Sequence, residues 1–332
     1  MIDMNKIVLI VLVGFCSYTL SAKENVGNDN STTISSSSLA RVAADCVPSQ
    51  ARTDLNINNV RTTIMGGGDM WWDLTDAKYE IPKDGGRHSM FAGALWIAGI
   101  DAGEQLKAAA MTYRQTGNDF WTGPLDEFSE ITPEVCDAYD QHFQITRQEV
   151  DQFIAWSNDQ SAYPEYTIPT SISEWPGNGV DGENQFLAPY FDANDDGEYN
   201  PEDGDYPGYD IDGTADCLND DLIYGDQTLW WVFNDKGNIH SETGADPIGL
   251  EIRAQAFAFA TNDDINNMTF YNYTIINKAT IQLNDAYFGQ WVDPDLGNFE
   301  DDYVGCDVAR GLGYCYNGEA EDAGASGYGF NP

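Results

Sequence analysis

The chain has 332 residues, and its 15 basic against 55 acidic side chains give a formal charge of -40. A field of that sign repels phosphate backbones, and no basic patch is visible in the sequence, so nucleic acid is excluded as a partner. The acidic excess serves as a solubilising surface, as a set of divalent-cation sites, or as both together.

Lys6 in a short polar start, the apolar run Ile7 to Phe15 and the small residues Ser21 and Ala22 read as a secretory signal over residues 1–22. Cys16 is a poor lipid-attachment site, because Phe15 stands where a small residue is needed. No later run of about 18 apolar residues predicts a transmembrane helix. Residues 23–45, with Ser35 to Ser38 in a row, read as a flexible Ser/Asn/Thr-rich leader. The folded part is expected from Cys46 to the end, as a β-rich domain over 46–332.

Export permits disulfides. Beyond the signal stand Cys46, Cys136, Cys217, Cys306 and Cys315. Cys306 and Cys315 flank a turn-rich stretch and are the first candidate pair, although spacing alone does not fix connectivity. The odd cysteine, and the end at Asn331-Pro332 in a Gly-rich loop, suggest a truncated C-terminus whose continuation holds the remaining partner. Zinc is disfavoured, because the cysteines lack C-x-x-C spacing and His88, His142 and His240 are scattered.

Along the chain, Ala94 to Ile100, the turn Asp101 to Gly103 and Lys107 to Tyr113 predict a β-hairpin. The run Gly66 to Gly68 lacks the Lys and Ser/Thr of a phosphate loop and reads as a turn beside Trp71 and Trp72. Thr132-Pro133 and the capping box Thr146 to Glu149, followed by Val150, Phe153 and Ile154, predict two short helices in an insertion of about 132–156. From Ser157 to Gly225 the chain is rich in Pro, Gly, Asn and Asp, a composition that calcium orders where hydrophobic burial does not.

Within that segment, of about 178–226, Asp192 to Asp203 places oxygen-bearing side chains at loop positions 1, 3, 5, 9 and 12 with a glycine at position 6. Calcium takes about six to eight oxygens, so such a loop supplies alternate carboxylates, a turn-forming glycine, one carbonyl and a closing acid. Asp192, Asn194, Asp196, Glu198 through its carbonyl, Asn200 or a water in its place, and Asp203 fill those roles, and Asp195 is expected to point outward.

Leu229 to Phe233, Leu250 to Ala260, Met268 to Asn277 and Ala286 to Val292 carry the strongest strand signals. Together they predict a mainly β fold, an antiparallel β-sandwich of jelly-roll-like form with a short helical insertion and a calcium-binding loop segment. Leu250, Ile252, Ala254, Ala256 and Ala258 alternate with Glu251, Arg253, Gln255, Phe257 and Phe259, so one face should be core and the other partly covered. Trp230, Trp231, Tyr271, Tyr273 and Trp291 are candidates for core packing first and for a carbohydrate platform second. Asp293, Asp295, Asp301, Asp302 and Asp307 form a second, looser acidic cluster that reads either as a solvated acidic turn or as a second calcium site, with the acid and base of glycoside hydrolysis as a catalytic alternative. No nucleophile elbow or H-E-x-x-H helix is present.

Phe120 to Pro124, Leu187 to Pro207, Gly289 to Gly297 and Asp302 to Asp307 resemble a family of large secreted Bacteroidota proteins over residues from about 55 to the end. Members of that family carry a C-terminal type IX secretion sorting domain, which implies export and cell-surface attachment or release; no molecular activity comes with the resemblance. No such domain stands within these residues. The calcium loop also resembles dockerin and thrombospondin type 3 loops. Pro201, Gly204 and Pro207 oppose the helix that a dockerin needs next, so cohesin binding is not implied. The expectation is a secreted, calcium-stabilised structural or adhesion protein of the cell surface, meeting surface glycans or other surface proteins. The alternative is a carbohydrate-active protein, either a glycan-binding module or a glycoside hydrolase.

Overall fold

The computed structural model describes residues 44–180, 186–209 and 222–330. The signal over 1–22, nearly all of the leader, Cys217 and part of the Asp/Gly/Pro-rich segment lie outside the described residues. The strands are β1 Arg52–Leu55, β2 Arg61–Met65, β3 Asp69–Met70, β4 Tyr79–Glu80, β5 His88–Met90, β6 Ala92–Ile100, β7 Leu106–Ala110, β8 Trp121–Thr122 and β9 Phe143–Thr146. They continue as β10 Tyr190–Phe191, β11 Tyr206–Pro207, β12 Gln227–Asn234, β13 Leu250–Ala258, β14 Phe270–Asn277, β15 Asn284–Asp293, β16 Asp302–Asp307, β17 Leu312–Asn317, β18 Glu321–Asp322 and β19 Gly329–Phe330. The helices are α1 Pro133–Ala138, α2 Arg147–Asn158 and α3 Thr170–Ser173.

Two antiparallel sheets face one another. One has the order β15-β6-β3-β2-β4-β5, with β1 on β2 and β7 on β6; the other has β14-β13-β12-β8, with β9 on β12. The hairpin expected after Ala94 is β6–β7, in register from Trp96↔Ala110 to Ile100↔Leu106. Its turn is held by the Asp101 carboxylate, which accepts from the N–H groups of Gly103 (2.8 Å) and Gln105 (2.9 Å). Gly66 to Gly68 make the turn between β2 and β3.

The core between the sheets takes Leu55, Ile64, Met70, Trp71 and Leu95 from one side and Leu229, Trp231, Phe233, Ile252 and Ala254 from the other. Along β13 the inward residues Leu250, Ile252, Ala254, Ala256 and Ala258 are all buried, while Arg253 and Phe257 on the other face are partly covered. Strand β12 is buried along its whole length, because Trp230 and Val232 point away from the sandwich into a second core. That double burial explains the unbroken run Leu-Trp-Trp-Val-Phe, where a half-exposed strand would alternate.

The second core is built under the helices. Thr146 Oγ1 accepts from Glu149 N–H (3.3 Å) and Thr146 N–H donates to Glu149 Oε2 (2.9 Å), so the capping box is formed. It launches α2 with Val150 and Phe153 packed against Trp230, Trp175, Tyr206 and Tyr209. Here the structure corrects an expectation. The described part of the Pro/Gly/Asp-rich segment is anchored by hydrophobic burial, through Ile172, Trp175, Leu187, Ala188, Tyr206, Tyr209 and Ile223. These residues follow no single period, since they come from the short helix α3, the two-residue strand β11 and the irregular chain around them.

A disulfide joins Cys46 to Cys136, with Cα atoms 6.0 Å apart. The pair expected from spacing does not form: Cys306 is an exposed free thiol and Cys315 a buried one. Both lie in one hairpin, but Cys306 faces Gly313 and Cys315 faces Val304. That register sets them diagonally, about 7–8 Å apart, beyond the Cα reach of about 6.8 Å that a disulfide tolerates. Among the described residues no helix is long and apolar enough to cross a membrane.

Candidate calcium loop and acidic hairpin base

Strands β10 and β11 pair as Tyr190↔Pro207 and Phe191↔Tyr206, so residues 192–205 form the connection of a small hairpin. Its legs are fixed by rings: Phe191 stacks on Tyr206 at 4.9 Å, and Tyr190 meets Tyr199 edge-on at 5.2 Å. Inside the loop the oxygens at positions 1, 3 and 5 turn toward the loop's own backbone. Asp192 accepts from Asp196 N–H (3.3 Å) and Gly197 N–H (2.8 Å), Asn194 Oδ1 from Asp196 N–H (3.1 Å), and Asp196 Oδ1 from Glu198 N–H (2.8 Å). Gly197 has φ +80°, the left-handed conformation that position 6 demands. Asp195, exposed at position 4, takes φ 59°. Asn200 accepts from Glu202 N–H (3.2 Å) and donates to Asp203 Oδ2 (2.6 Å).

The acid that closes the loop is one the sequence reading passed over. Asp205 is fully buried, and its carboxylate accepts from Ala193 N–H (2.8 Å) at the loop's start and Asn200 N–H (2.8 Å) near its end. Its signal in the sequence is only one more Asp, two places past the expected closing position. Asp203 stays at the rim, bonded to Asn200. Burial, and after it the negative field of Asp192, Asp205, Asp196 and Glu198, pushes the Tyr190 phenol up to about 12.

The second cluster is divided by strand pairing. Strands β16 and β17 form a hairpin whose base is Asp302↔Asn317 and whose tip is Asp307↔Leu312. Asp307 therefore stands about 17 Å from Asp302 at the ordinary rise per residue, capping a 3-10 turn and paired with Arg310. It does not join the others. At the base, Asp302 Oδ2 accepts from Leu296 N–H (2.7 Å), and the buried Asp322 accepts from Asn298 N–H (2.9 Å) and Tyr328 N–H (2.6 Å). Asp293 accepts from the Tyr113 hydroxyl at 2.5 Å.

Three oxygens at this base, Asp301 Oδ1, Asp302 Oδ1 and Asn317 Oδ1, are shielded from solvent and lack a hydrogen-bond donor. Burial, then Asp293, pushes Asp295 up to about 6; burial, with Asp301, Asp295 and Asp322 adding repulsion, does the same to Asp302. Asn317 and Asp322 were not legible as members, since pairing and a return of the chain bring them in. Among the described residues no three His, Cys, Asp or Glu side chains stand in a ready metal-holding group. A calcium ion at either place would therefore draw on amide and backbone oxygens as well as carboxylates.

The remaining candidates are structural. Trp71, Trp72, Trp230 and Trp231 are between 0% and 7% exposed, so none of them is a sugar platform. His240 is buried with its two ring nitrogens each 2.7 Å from a carbonyl oxygen, of Ala108 and of Asp235, and His142 Nδ1 stands 3.0 Å from Thr53 Oγ1. A cleft of about 170 Å³ is lined by Asp54, Arg61, Thr63, Lys78, Glu80 and His88. Its charges answer one another, Arg61 pairing with Glu80 and with Asp84 (2.9 Å), and Lys78 lying 3.5 Å from Asp73. Comparison with protein-family models, with curated proteins and with solved structures finds no match.

Proposed function

We propose that the chain is a secreted structural or adhesion module of the cell surface whose sandwich is stiffened by calcium. The observation that carries this reading is the Asp192–Asp203 loop. Its carboxylates are gathered by Asx turns over a glycine in the left-handed conformation, and they leave a negative field that the Tyr190 phenol registers. The orphaned oxygens of Asp301, Asp302 and Asn317 mark a second place where a hard cation would relieve repulsion. A binding role fits a molecule whose charged cleft is internally neutralised and whose tryptophan-rich strands are spent on packing.

The test is a thermal melt of the mature chain in chelator and in millimolar calcium, with calorimetric titration alongside. A cation bound only by the native state raises the melting temperature by mass action. An upward shift with binding heat is expected; an unchanged melt with no heat removes calcium from the account. Burial of Trp71, Trp72, Trp230 and Trp231 counts against the carbohydrate alternative in both its forms, as far as those residues would carry it. Its binding-module form is favoured by one surface, the outer face of the β16–β17 hairpin.

A further inference from the structure

Antiparallel pairing places Tyr303, Gly305 and Asp307 of β16 on one face of the hairpin with Leu312, Tyr314 and Tyr316 of β17. Three tyrosines thus share one face of a two-stranded sheet that, among the described residues, pairs with neither large sheet. They are 59%, 37% and 47% exposed. Their rings form a row: Tyr303 and Tyr316 have centroids 5.8 Å apart with planes 24° from parallel, and Tyr316 and Tyr314 follow at 6.1 Å and 34°.

The rings lie down on the sheet because glycine lets them. A Cβ built on Gly305 would stand 2.5 Å from Tyr314 ring atoms, and one built on Gly318 would stand 2.2 Å from the ring of Tyr303. The rings of Tyr314 and Tyr303 therefore each cover a bare backbone position, and both stay exposed to solvent. Any larger residue at 305 or 318 would lift the ring and break the row.

We infer that Tyr303, Tyr316 and Tyr314 form a stacking platform for a neutral polysaccharide. The chain's charge selects the ligand class: a field of -40 disfavours nucleic acid, sulfated or uronic glycans and anionic lipid, although bare aromatic faces would otherwise accept several of these. The C–H faces of an uncharged pyranose chain suit a row of flat rings. Beside Tyr314, the exposed Asp307–Arg310 pair supplies acceptors and donors in one place for hydroxyl groups. This inference rests on the binding-module form of the carbohydrate alternative, and its geometry does not depend on calcium.

The test is affinity electrophoresis of the full chain through gels containing neutral β-glucan, xylan or galactomannan, with calcium and with chelator, beside acidic polysaccharide controls. Retardation by at least one neutral polymer is expected, weakened about tenfold by Tyr316→Ala and by Tyr303→Ala, the scale of one lost stacking contact. Tyr287→Ala, which removes an exposed tyrosine on β15, should leave retardation unchanged. Should Tyr316→Ala fail to fold by circular dichroism, Tyr303→Ala and Gly305→Val carry the test. No retardation by any neutral polymer, or retardation that survives the tyrosine variants, overturns the inference. So does salt-sensitive binding to polylysine in its place, or a dimer that Tyr316→Ala dissolves, since these assign the face to a cationic partner or a second copy. Retardation equal in chelator and calcium separates this platform from the calcium reading, so either can fail alone.

Discussion

Cys46 and Cys136 stand 90 residues apart in sequence and 6.0 Å apart at their Cα atoms, joined by a disulfide. The bond ties the first described residues to α1 over a small apolar cluster of Trp121, Leu125 and Ile131. Closing a loop of that length removes much freedom from the unfolded chain. Replacing Cys136 with Ala should therefore lower unfolding free energy by about 2–5 kcal/mol in denaturant titration. Cys306→Ser, which alters an exposed free thiol, should stay within about 0.5 kcal/mol of the parent. Equal effects of the two would mean that the 46–136 bond contributes nothing.

Trp231 lies wholly inside the sandwich, while Trp230, its neighbour on β12, faces the helical core. Each truncation leaves a cavity, so Trp231→Ala and Trp230→Ala should each cost about 3–5 kcal/mol. The two cores make the variants distinguishable. Hydrogen exchange should rise first around β13 and β6 for Trp231→Ala, and around α2 and β9 for Trp230→Ala. Identical exchange patterns would show that the two cores open as one unit.

His142 packs edge-on against Trp231 at 5.3 Å, and burial pushes its imidazole down from 6.5 to about 4, against the smaller pulls of a hydrogen bond to the Met65 backbone and of Asp140. The folded state therefore favours the neutral ring. Its contribution to stability is present in full above about 6.5 and is lost as pH falls from there toward 4. Asp295 and Asp302, raised to about 6, act in the opposite sense across part of that window. The difference between the parent and His142→Gln isolates the imidazole: the variant's denaturation midpoint should fall less steeply between pH 6.5 and 4. Parallel pH profiles would remove His142 as a source of acid sensitivity.

What could be read in advance follows the range of the interaction. Strand β13 and the Thr146–Glu149 cap are written locally, by alternation of period two and by one side chain three residues from another, and both form as expected. The burial of both faces of β12 needs the helical layer that its own residues do not announce, and a bond between Cys46 and Cys136 leaves no local mark. The same holds at the acidic hairpin base. Asp302 meets Asn317 through strand register, and Asp307 departs because five residues of extended chain carry it to the tip.

In the connection of residues 192–205 between β10 and β11, Asp205 and Asp195 should separate architecture from ligation. Asp205 is buried and holds both ends of the loop through Ala193 N–H and Asn200 N–H, so Asp205→Ala leaves two donors without partners. At about 1–3 kcal/mol for each unsatisfied group, the melt should fall in chelator and in calcium alike. Asp192→Ala also loses a backbone cap, on Gly197 N–H. If calcium binds here, its destabilisation should be larger in calcium than in chelator, because the ligand's contribution disappears as well. Asp195, exposed and at φ 59°, bears no such role, and Asp195→Gly should relieve backbone strain while leaving calcium affinity unchanged. A loss of affinity in Asp195→Gly as large as that in Asp192→Ala would mean that the ligand geometry is wrong even where the fold of the loop is right.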